Sequence, residues 1–75
     1  MNRYEYLKEN EEIIFQFIKN GIISYQLLRD MDMYNSYESM NQITNELKYI
    51  VLAEDYELST QRVKQIILNM KNEIR

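Results

Sequence analysis

Cysteine, histidine, proline and tryptophan are all absent from this 75-residue chain, and glycine occurs once. Each absence excludes chemistry. Without Cys there is no disulfide framework, and without Cys or His there is no zinc site of the usual ligand set. Neither Ser-His-Asp nor Cys-His machinery can be assembled. A single Gly cannot build the glycine-rich loops that cradle dinucleotides or nucleoside triphosphates. The remaining carboxylates and lysines form no recognisable reactive set, so neither an enzyme nor a cofactor is expected. No apolar run approaches the roughly 18 residues of a membrane span. Met1 to Glu12 is polar and carries no signal-peptide core. The expectation is a soluble, cytoplasmic protein with no membrane partner.

The residues that are present describe a globular chain. Apolar residues make up 45% and charged residues 28%, which is too apolar for disorder. At this length one domain, residues 1–75, is the ceiling. Ile (10), Asn (8) and Tyr (7) are over-used, and Ala occurs once. A- and T-rich codons favour the first three, so the bias reports a low-GC bacterial or phage genome as readily as it reports the protein. The net charge of −3 is unevenly placed. Residues 1–58 carry five basic and eleven acidic side chains, whereas residues 59–75 carry Arg62, Lys64, Lys71 and Arg75 against Glu73 alone. Lys71 and Arg75 have an ordinary role at a helix C-terminus, complementing its dipole. Arg62 and Lys64 lie near the start of the same segment, where that explanation fails.

Hydrophobic periodicity predicts an all-α fold, a small bundle of about four helices with no strand pattern. The first covers about 3–19, with Ile13, Ile14, Phe17 and Ile18 as its apolar face and Asn10 as an alternative start. Gly21 after Lys19-Asn20 is a helix stop. The second follows Ser24 and runs to about Tyr37, the third covers about 41–57, and the fourth covers about 60–74 with Ser59 as its cap. The fourth has the cleanest pattern. Val63, Ile66, Ile67, Met70 and Ile74 form one stripe, opposite a face of amides and basic residues, with Leu68 at its edge. The second is apolar on two sides: Leu27, Leu28, Met31 and Tyr34 on one, Tyr25, Met33 and Tyr37 on the other. Such a helix is either central in the bundle or meets a partner through its second stripe. Asp30 and Asp32 look like a metal pair, but residues two apart on a helix point to different faces. The acidic cluster of Glu9, Glu11 and Glu12 reads as a solvated helix start.

The most informative stretch is residues 52–66. Two short helices that cross steeply through a tight turn need a small side chain at the contact, an apolar plug in the turn and a cap on the second helix. Ala53 supplies the first, Leu58 the second and Ser59 the third. The second helix then buries Val63 and Ile66, ten and thirteen residues after Ala53. With Leu52, these spacings resemble the helix-turn-helix of DNA-binding proteins, placed over about 49–70. The layout, supporting helices followed by a C-terminal recognition helix, is similar to small phage or mobile-element regulators. One position departs: the family usually has Gly between the helices, and here Glu57 stands there. A non-Gly residue in a left-handed conformation costs about 1 kcal/mol.

The resemblance implies a sequence-specific DNA-binding regulator whose last helix enters the major groove of double-stranded DNA. Thr60, Gln61, Lys64 and Gln65 would then face base edges, Gln pairing with adenine and Lys with guanine. Arg62 would reach a phosphate. Ser59 and Thr60, with the free backbone N–H groups of the first turn, would hold another, and Asn69 would touch the backbone farther along. The bland reading of each of these residues is ordinary solvation. Because the rest of the chain is acidic, useful affinity calls for a homodimer on two half-sites, with Tyr25, Met33 and Tyr37 as the first interface to consider and the first helical segment as the second. The competing expectation is a small helical protein-interaction module, such as a phage-encoded modulator of a host protein. Net acidity and the Met/Tyr surface favour that alternative.

Overall fold

The computed structural model describes residues 1–74; Arg75, counted above among the basic residues, lies outside them. The described residues form five helices: α1 (Arg3–Glu9), α2 (Glu11–Lys19), α3 (Gln26–Ser39), α4 (Asn45–Tyr56) and α5 (Thr60–Lys71). The all-α expectation holds, with one more helix than the pattern predicted. The extra helix comes from Asn10, which divides the first segment. Its side-chain amide donates to the Tyr6 carbonyl at 2.8 Å and its backbone N–H to Leu7 at 3.1 Å, closing α1. Helix α1 itself opens with a capping box, Asn2 accepting from the Glu5 N–H while the Glu5 carboxylate accepts from the Asn2 N–H.

Two helix ends share one solution. After α2, Gly21 has φ of +75°, the Gly21 N–H bonds to the Ile18 carbonyl and the Ile22 N–H to Phe17. After α4, Glu57 has φ of +56°, its N–H bonds to Glu54 and the Leu58 N–H to Ala53 at 3.0 Å. Both are Schellman closures, in which a left-handed residue lets the chain reverse while satisfying the last carbonyls. Thr and Ser caps open α4 and α5. Thr44 Oγ1 accepts from the Leu47 N–H, so α4 starts at Asn45 and not near 41. Ser59 Oγ accepts from the Arg62 N–H, as the sequence predicts. Helix α3 differs: its N-cap position is Tyr25 with no side-chain cap, and Ser24, expected as the cap, accepts from the Gln26 N–H one residue earlier.

The core lies where α3, α4 and α5 meet, with Met33, Leu52, Val63 and Ile67 fully buried. Helix α3 is apolar on two sides because it is central. It packs on both α4 and α5, and Tyr4 of α1 lies against its Tyr34 with ring centroids 4.8 Å apart. Two stretches of the predicted core are corrected. Ile13 and Phe17 are exposed, since α2 packs along α1 and contributes only Ile14 as a buried residue. Helix α5 stops at Lys71 because residues 72–74 turn extended and pair with the N-terminal segment: the Arg3 N–H bonds to the Asn72 carbonyl and the Ile74 N–H to Met1. Ile74 is therefore outside the α5 stripe and partly exposed.

Candidate nucleic-acid interface

Helices α4 and α5 are joined by Glu57, Leu58 and Ser59. Ala53 is buried in the same cluster as Val63 and Ile66, and Leu58 packs half-buried against it. These are the contacts that a small residue, a plug and two apolar positions three apart are suited to make. The Schellman turn places the α5 N-terminus directly after a reversal of the chain, and Ser59 caps it by accepting from the Arg62 N–H.

The side chains on the outer face of α5 are exposed. Ser59, Thr60, Gln61, Arg62, Lys64, Gln65 and Asn69 are all exposed, while Val63, Ile66, Ile67 and Met70 are buried. Arg62 and Gln65 are tied together, the guanidinium donating to Gln65 Oε1 at 2.9 Å. Thr60, Gln61 and Lys64 border a shallow groove whose opposite wall is Glu46, Tyr49 and Ile50 of α4. Glu46 and Ile50 were not singled out in the sequence. Their spacing of four residues was visible, but nothing local marked them as neighbours of Gln61 and Lys64.

The positive charge of the C-terminal half is divided. Lys71 turns inward: its ammonium donates to the Tyr37 hydroxyl at 2.9 Å and lies 4.7 Å from the centre of that ring. Lys48 lies 4.6 Å from the same ring centre. The hydrogen bond to Tyr37 raises the Lys71 pKa above its ordinary value, outweighing the desolvation that would lower it. Lys71 is exposed overall, and the other described cations of α5, Arg62 and Lys64, are exposed without an aromatic contact of this kind.

Tyr37 and Met33 cannot form a partner surface. Met33 is fully buried and Tyr37 is 4% exposed, stacked on Tyr49 at 6.0 Å and beside Tyr34 at 5.9 Å. Only Tyr25 of that proposed stripe is exposed, at 73%. The correction has a simple origin: a helix enclosed by three others needs apolar residues all round. Asp30 and Asp32 also have separate partners, Asp30 accepting from Arg29 and Asp32 from the Tyr56 hydroxyl. No protein-family model, no curated protein and no solved structure matches this chain.

Proposed function

We propose that this protein is a sequence-specific DNA-binding regulator that inserts α5 into the major groove, acting as a dimer on two half-sites. The observation that carries this reading is the first half of α5. A helix N-terminus follows a tight left-handed turn and exposes Thr60, Gln61, Arg62, Lys64 and Gln65 together, while its opposite face is anchored in the core. Gln61, Gln65 and Lys64 have the donor and acceptor chemistry that reads base edges. Arg62, Ser59 and the free N–H groups suit phosphates, and Asn69 suits a flanking backbone contact. With only two cations on that face, a single copy gains little from counterion release. Two copies on half-sites roughly 34 Å apart double the number of phosphate contacts.

The reading is tested by titrating pooled random duplexes and selecting a bound sequence over a range of salt concentrations. Affinity should fall steeply with salt. Gln61→Ala should relax selectivity at one base pair at a cost of about 1–3 kcal/mol. Lys64→Ala should weaken binding and flatten the salt dependence. No retention of any duplex at low salt would overturn the proposal.

A second reading rests on α4. Leu47, Ile50 and Val51, spaced as neighbours on one helical face, are 49%, 50% and 38% exposed. Ile50 lines the groove beside Gln61 and Lys64. An apolar stripe against this face suits a protein partner better than a phosphate backbone. Under that reading Ile50→Glu abolishes partner binding, and salt has little effect on the interaction.

A further inference from the structure

We propose that Leu68 of α5 reads the C5-methyl group of thymine in the major groove, a specificity contact that rests on the DNA-binding reading of α5 and names one base it recognises. Leu68, which the sequence pattern sets at the edge of the α5 stripe, is 48% exposed and belongs to no part of the buried cluster. At about 100° per residue it stands about 150° around the helix from the centre of the buried face formed by Val63, Ile66, Ile67 and Met70. It stands about 20° from Gln61, about 40° from Lys64 and about 60° from Gln65, and all three are exposed. A lone exposed leucine is ordinary on a protein surface. This one completes a stripe at i, i+3, i+4 and i+7 whose other members carry amide and ammonium groups. Whatever α5 meets through Gln61, Lys64 and Gln65 therefore also meets Leu68.

The chemistry of the groove identifies the occupant. Major-groove edges present hydrogen-bond donors and acceptors at every base pair, and the thymine methyl is the one apolar group among them. Against the polar atoms of another base, Leu68 would displace water without replacing its hydrogen bonds. Against thymine it buries a methyl, which corresponds to roughly fourfold in affinity per half-site. Leu68 lies seven residues beyond Gln61, about 10.5 Å along the helix axis, and base pairs are spaced by about 3.4 Å. The thymine is therefore expected within about three to four base pairs of the pair read by Gln61.

The test uses the full chain and the duplex recovered from the random pool, with deoxyuridine replacing thymidine one position at a time. Deoxyuridine pairs as thymidine does and lacks only the methyl, so the contact is deleted without altering the protein. At one position per half-site the wild type should lose about fourfold in affinity, and about 15-fold when both half-sites are replaced. Leu68→Ala should bind the thymine duplex more weakly by a similar factor and should not distinguish the two duplexes. Leu68→Met, which keeps an apolar side chain, should retain the penalty, and so should Gln61→Ala. Circular dichroism should show Leu68→Ala as helical as the wild type; should it lose helicity, Leu68→Gln makes the same comparison. A selected site with no thymine within that reach, no penalty for deoxyuridine at any position, or an equal penalty in the wild type and Leu68→Ala would each overturn the contact while leaving duplex binding by α5 standing. If no duplex is retained at low salt, the DNA-binding reading falls and the thymine contact falls with it.

Discussion

The Lys71 ammonium donates to the Tyr37 hydroxyl at 2.9 Å, and that hydroxyl donates to Asn45 Oδ1 at 3.2 Å. One phenol thereby joins the end of α5, the last turn of α3 and the start of α4. Tyr37→Phe keeps the stack on Tyr34 and Tyr49 but removes both bonds, leaving a cation above an apolar ring edge. Stability should fall by about 1–2 kcal/mol in urea unfolding. Tyr37→Glu should prevent folding, because it places a carboxylate in a core position that is 4% exposed.

The same cluster sets an alkaline limit. Burial raises the pKa values of Tyr34, Tyr49 and Tyr56 above their ordinary 10.0. For Tyr34 a hydrogen bond to Glu38 adds to the shift, and for Tyr56 a hydrogen bond to Asp32 does. Lys71 is raised above 10.5, chiefly by its bond to Tyr37. All four groups hold their protons more tightly folded than unfolded. Their contribution is complete below the unfolded values and is lost as pH rises through the folded ones. Stability should therefore be insensitive to these groups from neutral pH up to about 9 and should fall from about pH 10 upward. Urea midpoints across that interval check the sign, and Tyr56→Phe should reduce the slope.

The turn between α4 and α5 predicts a gain. Glu57 occupies a left-handed conformation that Gly adopts without strain. Glu57→Gly should stabilise the fold by about 0.5–1 kcal/mol, whereas Glu57→Val should destabilise it by more. Ala53→Leu should cost about 1–3 kcal/mol, since the added side chain has to enter the packed contact with Val63 and Ile66. Chemical denaturation of the three variants orders them without reference to function.

Much of this architecture was legible in residue spacing. Gly21, Ser59 and the run from Val63 to Met70 each carry a local signal that tertiary contacts do not override. Ala53 lies in the buried cluster with Val63 and Ile66. What stayed hidden depends on long-range placement. Met33 and Tyr37 have the composition of an interaction surface, and only the enclosure of α3 by α1, α4 and α5 shows that they are core. Ile13 and Phe17 have the periodicity of a core face and are exposed because α2 is left at the edge of the bundle. Periodicity identifies an apolar stripe but not which neighbour, if any, will cover it. The inward turn of Lys71 was hidden for the same reason, its partner lying 34 residues away.

Glu46 provides a prediction in which affinity and stability move in opposite directions. It sits in the first turn of α4, where a negative charge favours the helix dipole, and it faces Gln61 and Lys64 across the groove. Glu46→Gln should lower stability by about 0.3–0.5 kcal/mol through the lost dipole interaction. If α5 binds duplex DNA, removing a carboxylate from beside the approaching phosphates should tighten binding at low salt. The gain should fade as the screening length shrinks to about 3 Å near 1 M salt. A generally damaged protein would lose affinity along with stability, and a protein-binding groove would show no such salt dependence. Duplex titrations of Glu46→Gln and the wild type at two salt concentrations therefore separate a nucleic-acid interface from both alternatives.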